Sequence, residues 1–130
     1  MPSLTVTISV LQDGVGPLPG FPLTRRVAVD EIQSFAVEQA NAANTTTWVA
    51  LPLNLLDTVT FLVVRTDRNV TFRLNDGTAD ANTLPTIPLS AGGLLLLIDG
   101  TLRAGAGASN ARVSNNSGST AVLRGVGGGT

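Results

Sequence analysis

Few side chains in this chain could carry chemistry, and their spacing narrows them further. The run Asn75-Asp76-Gly77-Thr78-Ala79-Asp80-Ala81-Asn82 alternates oxygen-bearing residues, the donor type that calcium takes. It has no bidentate Glu and departs from the EF-hand spacing, so Asx turn geometry accounts for it and no metal is expected. Asp30 and Glu31 form a carboxylate pair. A pair does acid–base work only when both groups face one site, and neighbours on a strand point to opposite faces. The chain has no His, no Cys and no Tyr. The usual bases and nucleophiles at neutral pH are therefore missing, as are disulfides and zinc–sulfur sites. These residues predict a protein that is not an enzyme and needs no cofactor.

What remains is contact chemistry. Trp48 is the single Trp in a chain with 4% aromatic residues. Glycan or single-strand recognition normally uses several aromatic platforms, so Trp48 is expected to anchor a core or an interface. All eight positive charges are Arg. Arg suits bidentate and interface contacts, although GC-rich coding produces the same bias. Arg65 and Arg68 flank Asp67, where local pairing would be worth about 0–1 kcal/mol. Arg25 and Arg26 precede a strand and could meet an acidic neighbour across an interface. The candidate interface residues are Trp48, Arg68, Arg73, Arg25 and Arg26.

Composition sharpens this. Charged residues make up 13% and hydrophobic residues 43%, against a usual charged share of about 25%. Either Thr, Ser, Asn and Gly form a neutral surface, or copies of the chain or a partner cover much of it. The net charge of −1 argues against nucleic acid, which needs a basic surface. The longest apolar run, Gly92 to Ile98, is too short to span a membrane as a helix. The opening MPSLTVTISV lacks a basic n-region and a small-residue cleavage site, so no signal peptide is expected. On that ground the glycosylation triplets at Asn44, Asn69 and Asn115 are discounted.

The elements that must position these residues read as strands. Ser3 to Leu11 alternates Leu4, Val6, Ile8 and Val10 against Thr5, Thr7 and Ser9, a half-buried strand. Gln12 to Pro22 holds three Pro and three Gly and reads as an ordered loop pinned by Leu18 and Phe21, not a strand. Leu23 to Gln39 reads as two short strands, or as one strand bulged at Asp30-Glu31, with a helix through Val29, Ile32 and Phe35-Ala36 as the alternative. Thr45 to Leu53 is a further strand. Asp57 to Asn75 reads as a hairpin turning at Thr66 to Asn69. Its first strand is apolar on both faces; its second sets Val70, Phe72 and Leu74 against Thr71 and Arg73. After the polar loop come a turn at Leu89 to Gly93 and a buried strand, Leu94 to Ile98. Asp99-Gly100 is predicted to be a two-residue hairpin turn. Short strands at Ala111 to Asn115 and Thr120 to Val126 complete the pattern, and the Gly-rich tail 127–130 is expected to fray or be held by a neighbour.

Eight to ten short strands with regular turn signals predict one all-β domain over residues 1–130, an antiparallel β-sandwich or jelly roll, with no helix read with confidence.

The second half resembles small virion structural proteins of tailed bacteriophages. The resemblance lies in Val59-Thr60-Phe61-Leu62-Val63-Val64, Val70-Thr71-Phe72-Arg73-Leu74-Asn75, Pro88-Leu89-Ser90-Ala91-Gly92-Gly93-Leu94-Leu95-Leu96, Asn115-Asn116-Ser117-Gly118-Ser119-Thr120-Ala121-Val122-Leu123 and the closing Gly128-Gly129-Thr130. It covers residues 45–130, leaves the Pro/Gly loop outside and transfers no site residues. It implies a β-sandwich located in the virion, decorating the capsid or associated with head or tail. Its partners would be other copies of itself and virion proteins such as the major capsid protein. The competing expectation is a glycan- or receptor-binding module on the same fold.

Overall fold

A computed structural model describes residues 2–41, 48–53, 55–74, 86–103 and 111–130, with backbone alone for 99–103. Three expectations fall wholly or partly outside those residues: the oxygen-rich loop at 75–82, the Asn44 triplet and the start of the strand read over Thr45 to Leu53. The chain opens with a long two-stranded hairpin. Strand β1 (Ser3–Ile8) pairs antiparallel with β4 (Leu23–Ala28), from Ser3 opposite Ala28 to Ile8 opposite Leu23. Beyond them β2 (Leu11–Gln12) pairs with β3 (Gly16–Pro17), and Leu18 N donates to Val10 O at 3.1 Å. The Pro/Gly segment thus contains a short ladder where none was expected. Its sharp reversal is possible because Gly14 and Gly16 take φ of 77° and 100°, a region closed to most side chains. Leu18 and Phe21 are half-buried, as a pinned loop requires.

Eight further strands form the sandwich: β5 (Glu31–Gln39), β6 (Val49–Ala50), β7 (Thr58–Thr66), β8 (Val70–Leu74), β9 (Thr86–Leu89), β10 (Leu94–Arg103), β11 (Ala111–Ser114) and β12 (Ala121–Gly129). One sheet has the order β10-β7-β12-β5, the other β6-β11-β8-β9, and every pairing is antiparallel. The path alternates between sheets except where β8 passes to β9 within one. This is the strand order of a jelly roll. The segment from Leu23 to Gln39 is two strands, not a helix.

Three local expectations need correction. First, β7 and β8 do not form a hairpin. They lie in different sheets, and both edges of β7 are already paired, by β10 and β12. Residues 66–69 form an arch between the layers. Thr66 Oγ1 donates to Arg68 O at 2.8 Å and accepts from Arg68 N at 3.2 Å. Second, Asp99-Gly100 is not a hairpin turn. Strand β10 continues past it along β7, with a register shift between Ile98, opposite Phe61, and Leu102, opposite Val59. Asp-Gly falls within a bulge here, where extra residues of β10 are accommodated without a reversal. Third, the Gly-rich end is not a frayed tail. Gly127, Gly128 and Gly129 are buried in β12 and pair with β5 on one side and β7 on the other. Thr130 N donates to Thr58 O, and Thr130 O accepts from Asp57 N and Thr58 N.

The core explains why β7 is apolar on both faces. Toward the second sheet, Leu62 and Val64 join Val70, Phe72, Val113 and Leu123. Away from it, Phe61 and Val63 join Leu96 and Ile98 under Leu4, Val6, Val27 and Val29 of the hairpin. The hairpin is thus a third layer over half of the first sheet's outer face. Glycine lets both layers close on β12. A Cβ at Gly127 would meet Leu53 Cδ2 at 2.5 Å, and one at Gly128 would meet Leu4 Cδ1 at 2.6 Å. Phe72 is 0% exposed, and burying such a side chain contributes roughly 1.5–3 kcal/mol.

Phe72→Ala is expected to lower stability by about 3–5 kcal/mol, the range for large-to-small core changes; a denaturant titration showing less than about 1 kcal/mol would remove Phe72 from the core. Deleting Gly127 to Thr130 is expected to abolish cooperative unfolding, since it strips ladder bonds from β5 and β7 together. A truncated chain that keeps a wild-type thermal transition by circular dichroism would contradict the central placement of β12.

Candidate functional site

The five candidate interface residues fall in three places. Trp48 and Arg73 come together. Arg73 sits in the middle of the second sheet, opposite Arg112 on β11 and Thr86 on β9, and its guanidinium lies 4.2 Å from the centroid of the Trp48 ring. That is cation–π distance. Trp48 is half-buried on this outer face, so one side of the indole is covered by Arg73. Arg68 is exposed in the β7–β8 arch. Arg25 and Arg26 lie on β4 of the hairpin, opposite Val6 and Thr5, and Arg26 Nε donates to Ser3 Oγ at 2.9 Å.

The expected local pairing of Asp67 with Arg65 or Arg68 is replaced by a longer-range bond. Asp67 Oδ1 accepts from Val122 N at 2.7 Å, and Asp67 N donates to Val122 O at 3.3 Å. The arch is thereby stitched to the start of β12. A second stitch holds its other end, where Asn69 Oδ1 accepts from Ala91 N at 2.8 Å. That bond also ties the Asn69 side chain to the β9–β10 turn.

A group the sequence reading did not assemble lies beside this arch. On the outer face of the first sheet, Leu94, Arg65, Arg124 and Ala36 form one row across β10, β7, β12 and β5. Arg65 and Arg124 are directly opposed and both exposed. Opposed residues on adjacent strands hold their Cβ atoms about 4.5–5.5 Å apart, where like charges repel. Neither arginine forms an ion pair among the described residues. With Thr66, Asp67, Gly92 and Val122 they line an open groove of about 400 Å³. The hairpin layer stops short of this row. The only sequence signal was the face Phe61, Val63, Arg65, where apolar side chains give way to a charge. Arg124 joins it solely through register.

A buried polar knot closes the same end of the sandwich. Asn115 is fully buried. Its Nδ2 donates to Gln39 O at 2.9 Å and Ser119 O at 2.8 Å, while its Oδ1 accepts from Ser117 N at 3.1 Å and Ser117 Oγ at 2.7 Å. All four capacities of the amide are used, so Asn115 serves the turn into β12 and is closed to modification. Gln39 Nε2 donates to Val113 O at 3.1 Å, bridging the two sheets. Asp30 and Glu31 are both exposed at the crossing from β4 to β5, where Asp30 N donates to Gly129 O.

No family model matches the chain, and no curated protein and no solved structure matches it.

Arg73→Ala is expected to red-shift Trp48 emission by uncovering one face of the indole and to lower stability by roughly 1 kcal/mol. An unchanged emission maximum would separate the two side chains in solution.

Proposed function

We propose that this chain is a structural protein of a bacteriophage virion. In this reading it has no chemistry of its own. It self-associates and packs on a capsid surface, as a decoration or cement protein or as a minor head or tail component. The observation that carries the proposal is a charge-poor surface with large apolar side chains held in the open. Leu11 and Val15 are 68% and 69% exposed, Leu55 63% and Leu94 53%. Scattered exposed leucines are ordinary, but Leu11, Val15 and Leu23 share the outer part of one hairpin and Leu94 borders the arginine groove. Such places gain by being covered.

The architecture adds support by analogy. Jelly rolls build viral capsid domains as well as lectins and cupins, and a shared fold alone does not carry a function across. The phage resemblance of residues 45–130 points the same way. The glycan-binding alternative would lean on Trp48, and Arg73 already occupies one face of that ring.

Light scattering after gel filtration is expected to give a mass of several chains, and the protein is expected to co-sediment with tailed-phage heads. A single-chain mass at every concentration, with no retention on particles, overturns the proposal.

A further inference from the structure

Two features are complementary and lie apart on the same molecule. The first is the Arg65–Arg124 groove, which carries two opposed guanidiniums and one carboxylate. The Asp67 carboxylate is committed to the Val122 amide, so the groove presents net positive charge flanked by Leu94 and the half-buried Val122. The second is the tip of the β1–β4 hairpin, where Leu11, Asp13 and Val15 are all exposed. It presents one carboxylate between two apolar side chains, which is the inverse of the groove. The tip cannot be serving its own groove, since Leu11 and Val15 are more than two-thirds in solvent.

We infer that the hairpin tip of one copy docks into the Arg65–Arg124 groove of the next, with the Asp13 carboxylate between the two guanidiniums and Leu11 and Val15 against Leu94 and Val122. The inference rests on the self-association reading and names its contact. An anion held by both arginines turns their mutual repulsion into a clamp, because guanidinium–carboxylate hydrogen bonds are charge-assisted and directional. The contact joins two different surfaces of the chain, so it is heterologous. Repeated, it closes into a ring where the rotation per copy allows and extends into a filament where it does not.

Complementation tests this. Asp13→Arg spoils the tip and leaves the groove intact. Arg65→Glu with Arg124→Glu spoils the groove and leaves the tip intact. All three side chains are exposed, so both variants should keep the wild-type denaturation midpoint. Each variant alone is expected to associate at least about tenfold more weakly than wild type, as charge reversal across a close contact does. Mixed in equal amounts, they regain the native tip–groove contact and add its charge-swapped counterpart, so they should co-assemble with the two variants alternating in one-to-one proportion, read by light scattering and by the composition of the assembled fraction. If the variants disrupt assembly but the mixture yields no co-assembly, tip and groove do not meet and the inference fails. If wild type assembles and both variants assemble equally well, the inference fails while self-association stands through another contact. A wild type that stays a single chain at every concentration overturns both.

Discussion

Everything in this molecule hangs on β12 lying between β5 and β7. Along Gly127 to Gly129 the strand has no side chains, yet it is hydrogen-bonded on both edges and covered on both faces. A strand with side chains there would hold the hairpin and the second sheet apart, because Leu53 and Leu4 already occupy the space where Cβ atoms would stand. The glycines weaken the strand's own preference for extended structure. Pairing with two neighbours and a dry location on both faces offset that loss. The same strand supplies Arg124 to the groove and the Val122 amide to Asp67, so one strand serves both the core and the groove.

The sequence disclosed faces well and partners poorly. Alternation at Val70, Phe72 and Leu74, and the double apolarity of Phe61 to Val64, correctly said what is buried. Period two reports the side to which a residue points and is silent on which strand lies alongside. Residues 66–69 therefore read as a hairpin turn when they span two sheets. Asp99-Gly100 misled for a related reason, since local backbone preference fits a bulge as well as a reversal. The glycine tail was misjudged because a strand without side chains has no period to detect. The Trp48–Arg73 stack was legible as two candidates and not as one contact. Arg65 and Arg124 are far apart in sequence and meet only through the register of the last strand.

Both sheets carry directly opposed arginines on their outer faces, Arg73 with Arg112 and Arg65 with Arg124. The first pair stands beside an indole, which accepts positive charge on its face. Among the described residues the second has no such neighbour. In a chain with so few charges, two like-charged rows are unevenly provided for, and the unprovided one opens onto the half of the sheet the hairpin leaves bare.

The position of β12 also shapes how the molecule is made. Most of its ladders join segments distant along the chain, so a large loop must close before each pairing gives any return. Until the final strand arrives, β5 and β7 hold raw edges toward each other across an unfilled slot. The same slot has the shape for a glycine-rich strand from a nearby copy, which competes with the chain's own strand only where its concentration rivals the effective concentration of the tethered one. The interval before closure is therefore the vulnerable period of this protein's life, and local concentration then decides between a finished sandwich and exchanged strands.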